Sequence, residues 1–309
     1  MADRQPAPTG AESVLTVFVA LAANVGIAVA KLFAAVMSRS SAMLAEAFHA
    51  LADSGNEVLL LVAQRRSERP ADHEHPLGHG REAYFWSLIA SLAVFVTGAL
   101  LSVRQGIAQL VHPTEATSFA VAYAVLAVSL VLESLSLRRA YRQLRREASE
   151  LSREFIEHFD LSSDPIARAV FAEDAAAVIG NVVAAIGLAL HQLTGSAIPD
   201  GIAAIVIGLV LGYMALQLAR RNGDFLVGRR APATIHRRVE TIIAAQPGVR
   251  AVSDLVVTFL GPRRLWVIAR IDVNDELTGA AVKILIRKTQ QLLSDDSRFI
   301  QRVDLVPAP

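Results

Sequence analysis

Six apolar stretches constrain what this chain can fold into more than any other feature of its sequence. Each is long enough, or nearly so, to cross a bilayer, which takes roughly 20 residues. They account for a composition that is 53% hydrophobic. They cover residues 13–37, 41–63, 83–110, 118–137, 165–190 and 199–218. We therefore predict an α-helical membrane protein with six transmembrane helices embedded in a lipid bilayer.

Basic residues indicate how these helices are oriented. The connections after the second, fourth and sixth stretches are rich in arginine, whereas the other three connections contain only Arg39. The positive-inside rule then predicts that both termini are cytoplasmic, and we expect a multi-pass protein of a bacterial inner (plasma) membrane. Because 30 basic residues nearly balance 29 acidic ones, we do not expect a nucleic-acid partner.

The last part of the chain has a different character. Residues 265–273 alternate apolar and polar side chains, which is typical of a half-buried strand. Helical patterns over 232–245 and 278–293 and strand patterns over 251–259 and 300–306 complete an αββαβ order. We predict a disordered N-terminus over 1–12, a six-helix domain over 13–221 and a small, ferredoxin-like α+β cytoplasmic domain over 222–309. A domain this short favours a dimerising or regulatory role over catalysis.

A polar stripe interrupts the second apolar stretch. Glu46, His49, Asp53 and Asn56 are spaced three, four and three residues apart, so they share one helix face. An isolated carboxylate at the bilayer centre costs about 3 kcal/mol on insertion scales. Membrane proteins that retain such groups usually use them, so we expect the function to reside here. For Glu46, a ligand or proton relay and a structural hydrogen bond remain open.

The fifth stretch contains a second polar cluster. If the second and fifth helices pack together, then His49, Asp53 and Asp174 supply three ligands for one ion. The candidates for a fourth ligand are Glu173, Asn56, Asn181 and water. One imidazole with carboxylates suits zinc better than ions that prefer oxygen alone, and thiolate sites are excluded because the chain has no cysteine. The competing interpretation is that these polar groups only hold helices together.

A loop between the second and third stretches contains a further group of possible ligands. Asp72, His73, His75 and His79 lie within eight residues. Such a cluster can bind a metal on the cytoplasmic side and supply the membrane site. We favour the simpler interpretation, a tight turn with solvated polar side chains.

Two motif searches limit the possible functions. The sequence has neither the HExxH pattern of zinc proteases nor the GxxxxGK[ST] pattern of nucleotide-binding loops. We therefore expect no enzyme, no cofactor and no ATP-driven pump, so any transport must draw on an ion gradient.

The combined motifs resemble the cation diffusion facilitator family. The resemblance rests on six helices, His49-xxx-Asp53, the loop His75-Pro-Leu-Gly-His-Gly-Arg-Glu82, the segment Asp200–Gly208 and the C-terminal αββαβ order. It implies a homodimer that exports Zn²⁺, or Fe²⁺, Co²⁺, Mn²⁺ or Cd²⁺, from the cytosol in exchange for H⁺. A membrane metal sensor or scaffold without transport is the alternative.

One position departs from the family pattern. Zinc-transporting members usually repeat HxxxD in the fifth helix, but here Val170 stands where that histidine is expected, and Glu173 precedes Asp174. The Glu-Asp pair resembles the subgroup that includes the animal mitochondrial zinc transporter. The departure leaves the fourth ligand, and with it the choice of metal, open.

Overall fold

The computed structural model describes residues 10–150, 154–297 and 299–308, and the chain divides into two compact units. The helical unit comprises Met1–Leu61, Leu88–Leu151 and Ala167–Ala219. The mixed unit comprises Val62–Ser87, Ser152–Ile166 and Arg220–Pro309. Of the predicted disordered terminus, residues 1–9 lie outside the described residues, and residues 10–12 belong to the first helix.

All six predicted stretches form long helices. In chain order the helices up to residue 227 are α1 (Gly10–Ser38), α2 (Ser41–Ser67), α3 (Glu82–Val94) with a π-helical turn (Phe95–Leu100) and α4 (Leu101–Val111), α5 (Phe119–Glu150), the short α6 (Phe155–Leu161), α7 (Pro165–Thr194) and α8 (Ile198–Val227). Within the described residues, five spans are long and apolar enough to cross a membrane. The sixth long helix, α2, carries the polar stripe and is not among these five. We call the end where α1 ends and α2 begins the short-loop end, and the opposite end the arginine-rich end.

The fourth long helix extends well beyond the predicted apolar stretch. We predicted an end at residue 137, but α5 continues to Glu150. The added segment has neither glycine nor proline and is rich in arginine, with two alanines and two glutamates, and these residue types favour helix. At 32 residues, α5 is about 48 Å long. It exceeds a hydrocarbon core of about 30 Å, so its arginines lie on a helix rather than in a loop.

The N-terminus of α2 is fixed by a carboxylate from α8. Asp200 is fully buried and accepts hydrogen bonds from Ser40 Oγ at 2.5 Å and from the Ser41 backbone N–H at 2.5 Å. The first N–H groups of a helix have no partner within the helix and carry partial positive charge, so a carboxylate there is favourable. Asp200 therefore holds the start of the polar stripe's helix against α8.

The C-terminal part of the mixed unit confirms the predicted αββαβ order. Its elements are α9 (Ala233–Ala244), β1 (Val249–Gly261), β2 (Arg264–Val273), α10 (Gly279–Asp296) and β3 (Ile300–Pro307). The central strand β2 pairs with β1 in antiparallel fashion and with β3 in parallel. Leu265, Val267, Ala269 and Ile271 of β2 are buried as the alternation predicted.

Within the mixed unit, residues 68–81 pack closely against the sheet. A Cβ atom at Gly80 would lie 2.5 Å from the backbone oxygen of Leu260, so only glycine allows this approach. Nearby, the Tyr84 ring stacks on Phe225 at a centroid distance of 5.0 Å, and Phe225 meets Phe259 edge-on at 5.3 Å. This packing fixes the loop that contains the predicted histidine cluster.

Close helix packing in the helical unit depends on small residues. A Cβ atom at Gly208 of α8 would lie 2.8 Å from the backbone oxygen of Ala99 and 2.9 Å from the backbone nitrogen of Val103. By contrast, a Cβ atom at Gly223, on the same helix, would meet nothing within 4 Å. The two glycines offer a matched comparison.

We expect Gly208→Ala and Gly223→Ala to shift the stability of the full-length protein in opposite directions. Replacing a helical glycine by alanine gains about 1 kcal/mol, and Gly223→Ala should gain part of this. Gly208→Ala forces α8 away from α4, at an overpacking cost of about 1–3 kcal/mol. Thermal unfolding in detergent, monitored by size-exclusion chromatography, measures both. Equal stability of the two variants would contradict the tight α4–α8 contact.

Candidate metal centre

The polar stripe of α2 faces the interior of the helical unit. Glu46, His49 and Asn56 are buried, and the Asp53 side chain is 19% exposed. His49 Nδ1 lies 3.3 Å from Asp53 Oδ1, as expected for residues one helical turn apart. The sequence prediction that these two head groups approach each other agrees with the observed geometry.

Three buried ligand atoms of this pair make no hydrogen bond to the part of the chain that the structure describes. They are both ring nitrogens of His49 and Oδ1 of Asp53. Buried polar groups are normally hydrogen-bonded because a missing partner costs about 1–3 kcal/mol. Imidazole nitrogen and carboxylate oxygen are ligands that zinc accepts. The pair thus has the ligand chemistry that a cation requires, and its ligand atoms have unused hydrogen-bonding capacity.

Two carboxylates from α7 lie near this pair. Glu173 accepts a hydrogen bond from Asn56 Nδ2, and Asp174 Oδ2 accepts one from Ser136 Oγ at 2.8 Å. The charge of Asp53 acts on both α7 carboxylates. Helices α2 and α7 therefore bring His49, Asp53, Glu173 and Asp174 to one region. Among the described residues, no three ligand atoms of this set lie within 4.8 Å of one another.

Two of the less certain candidates are engaged elsewhere. Glu46 Oε2 forms an ion pair with Lys31 Nζ at 2.6 Å, and Asn181 Nδ2 donates to Glu133. These contacts account for one oxygen of Glu46 and for the amide nitrogen of Asn181. At position 170, where the family pattern has histidine, Val170 is 36% exposed, whereas the nearby Glu173 is buried.

Sequence reasoning missed one carboxylate near the centre. Glu57 accepts a hydrogen bond from Asn24 Nδ2 of α1, and its Oε2 is buried without a hydrogen-bond partner in the described chain. Its charge acts on Glu173 and Asp174. Spacing could have revealed it, because Glu57 follows Asp53 by four residues and so continues the same helix face.

A second group of possible ligands is assembled in the loop between α2 and α3. One ligand atom each from Asp72, His75 and His79 lie within 4.8 Å of one another, the single grouping of this kind among the described residues. His73, also predicted, is not part of it. The interpretation as a turn with solvated side chains is wrong for His79, which is only 4% exposed. Burial follows from the close packing of this loop on the sheet.

The protonation of this loop cluster is set by its carboxylates. His79 Nε2 lies 2.9 Å from Asp72 Oδ2, and Nδ1 lies 2.8 Å from Glu82 Oε1. These hydrogen bonds, that of Asp72 first, raise the pKa of His79 above its ordinary value. In turn, hydrogen bonds from the His79 ring and the His75 backbone N–H lower the pKa of Asp72. A proton on His79 therefore competes with any cation at this cluster.

Residues 17–227 match the family model described as the cation efflux transmembrane domain. The chain belongs to the cation efflux family. This confirms the resemblance to cation diffusion facilitators inferred from the motifs. As a cation efflux family member, the chain is an integral, multi-pass membrane protein.

Several curated relatives of this cation efflux protein are transporters. The chain is 35% identical to the proton-coupled zinc antiporter SLC30A9, mitochondrial, of Xenopus laevis, over 79% of its own length and 44% of the relative. The human protein of that name is 33% identical over 79% of this chain and 43% of the relative. The cation-efflux pump FieF of Escherichia coli O127:H6 is 27% identical over 85% of this chain and 82% of the relative. The chain thus spans less than half the length of these SLC30A9 proteins.

We expect zinc binding at the loop cluster of this cation efflux protein to weaken as pH falls. A raised pKa keeps the proton on His79 at pH values above the ordinary histidine pKa of about 6.5, so the weakening should begin above that pH. His79→Asn should remove this pH-dependent binding step, whereas His73→Asn should leave it. Isothermal titration of the full chain between pH 6 and 8 measures the affinity. A pH-independent affinity, or equal losses in the two variants, would contradict the assignment.

Proposed function

We propose that this chain exports divalent cations, zinc foremost, from the cytoplasm in exchange for protons. The observation that carries the proposal is the buried His49–Asp53 pair, whose ligand atoms make no hydrogen bond to the described part of the chain. It lies beside Glu173 and Asp174 on a second helix. The names of the SLC30A9 and FieF relatives, a proton-coupled zinc antiporter and a cation-efflux pump, support the same function.

The chemistry of the proposed ligands couples the two fluxes. A histidine nitrogen and carboxylate oxygens bind a metal only when deprotonated, so a cation that binds displaces protons, and protons that bind release the cation. With His49, Asp53 and Asp174 as ligands, Glu173 is the fourth candidate because it is buried and adjacent in sequence. Its bond to Asn56 orients the carboxylate, which gives Asn56 a positioning role.

The arginine-rich end of the helical unit is the proposed cytoplasmic side. The arginines in and next to α5 and α8 lie at the C-terminal ends of these helices, as the positive-inside rule expects for a cytoplasmic end. On this assignment both termini are cytoplasmic, and a bacterial inner membrane is the proposed location. The loop cluster of Asp72, His75 and His79 is then a cytoplasmic site that captures cations before transport. The C-terminal domain is proposed to form a homodimer.

We expect the ligand variants to abolish zinc transport. In proteoliposomes with a pH gradient, Asp53→Asn and Asp174→Asn should both reduce zinc flux. The loss should exceed the roughly 10- to 100-fold loss that is typical when a residue that supports a metal ligand is changed. Glu115→Gln, an exposed acid-to-amide change, is the matched control and should transport normally. A zinc-sensitive dye enclosed in the vesicles measures the flux.

Three outcomes, from this flux assay and from zinc-binding measurements on the same proteins, decide between the alternatives. Normal flux in folded Asp53→Asn would show that the ligand assignment is wrong. Unchanged zinc affinity in Glu173→Gln would remove Glu173 from the ligand set. Stoichiometric zinc binding without any flux in the native chain would favour a sensor or scaffold over a transporter.

A further inference from the structure

Contacts between antiparallel helices divide the polar interior of the helical unit into levels, which follow one another along the helix axes. Between α1 and α2, Asn24 bonds to Glu57 towards the arginine-rich end, and Lys31 bonds to Glu46 towards the short-loop end. His49 and Asp53 come between Glu46 and Glu57 along α2. The proposed cation site therefore has one polar level on each side of it.

The level towards the short-loop end is an ion-paired cluster, which we call the Lys31 layer. Lys31 Nζ lies 2.6 Å from Glu46 Oε2 and 2.8 Å from Glu133 Oε1, and Asn181 donates to the other oxygen of Glu133. The four residues come from α1, α2, α5 and α7. The side chains of Lys31 and Glu46 have no solvent exposure, and that of Glu133 is 13% exposed.

A glycine on α7 makes room for this layer. A Cβ atom at Gly180 would collide with Oε1 of Glu46, so the Glu46 carboxylate fills the notch that the missing side chain leaves. That oxygen is buried and has no hydrogen-bond partner in the described chain. The layer thus occupies the space between α1, α2, α5 and α7 on one side of the proposed site.

The two levels differ in what they offer a cation at His49 and Asp53. Towards the arginine-rich end it meets Glu57, a carboxylate whose contact is a neutral amide, Asn24. Towards the short-loop end the carboxylates of Glu46 and Glu133 are already occupied by the ammonium of Lys31. Like charges repel strongly where the effective dielectric constant is low, so a cation cannot share these carboxylates with Lys31. Passage in that direction therefore requires Lys31 to move away from the path.

We propose that Lys31 is the gate residue on the short-loop side of the cation site, held closed by Glu46 and Glu133. This inference rests on the proposed transport function. With the layer intact, the site communicates with the arginine-rich end only. Separation of Lys31 from Glu46 opens the other side, and the released Glu46 carboxylate then faces the departing cation. Lys31 acts through position and charge and is not itself a ligand.

The first test measures coupling in proteoliposomes. Lys31→Met should allow zinc to move down its own gradient without a proton gradient, at least tenfold faster than in the native chain. Lys31→Arg keeps the charge and should keep coupled transport. Tight coupling in Lys31→Met, or an equal leak in Lys31→Arg, would overturn the gate.

The second test needs no substitution in the layer. Because the chain contains no cysteine, one introduced cysteine is the sole thiol. Ala177, on α7 between Asp174 and Asn181, is buried, whereas Ala116 in the loop at the short-loop end is partly exposed. Metal-free vesicles are prepared in two orientations, so that a membrane-impermeant methanethiosulfonate reaches either the arginine-rich side or the short-loop side. The reagent should modify Ala177→Cys from the arginine-rich side only. It should modify the control, Ala116→Cys, from the short-loop side.

Labelling also separates the gate from the transport function. If Ala177→Cys reacts from the short-loop side as fast as Ala116→Cys, the gate is wrong. If labelling is one-sided but the native chain moves no zinc, the closed layer stands and the proposed transport fails. In the Lys31→Met background, the short-loop-side labelling rate of Ala177→Cys should rise at least tenfold, and an unchanged rate would overturn the role of Lys31.

Discussion

Ionisable side chains inside a membrane helix bundle need partners within the protein, and the arrangement of the helical unit depends on how α2 meets this demand. Glu46 is paired with Lys31 of α1, and Asn56 with Glu173 of α7. These contacts fix which helices surround α2 and at what height. The two remaining groups of the stripe, His49 and Asp53, point into the same interior and have ligand atoms that make no hydrogen bond within the described residues. The interactions that stabilise the bundle therefore also define the site.

Much of this organisation could be predicted because it follows from periodicity. Apolar stretches of membrane length predicted the helices, and alternation along β2 predicted which of its residues are buried. The i, i+4 spacing of His49 and Asp53 predicted their approach, since helix geometry alone fixes it. The order αββαβ followed from local patterns, and the structure has each of its elements within a few residues of the predicted bounds.

Contacts between helices could not be predicted, because they depend on which faces pack together. The spacing of Glu46 could not decide whether it is a metal ligand or a hydrogen-bonded group, because its ion pair with Lys31 joins two different helices. Glu57 lay on the predicted face but beyond the residues considered. For His79, the sequence indicated a solvated turn. Its burial could not be predicted, because it results from packing of the loop on a strand that is distant in sequence. Apolar length also could not reveal that α5 continues through its arginines.

The hydrogen bonds of Asp200 have a mechanical consequence for α2. They attach the first residues of this helix to α8, so the attachment acts as a fulcrum if α2 tilts relative to α8. Displacement then grows with distance from the fulcrum along the axis. Asp53 lies about 18 Å from Ser41 and Arg65 about 36 Å. A tilt that moves the arginine-rich tip by a given distance moves the proposed cation site by half as much, which makes α2 a lever with the candidate ligands at its midpoint.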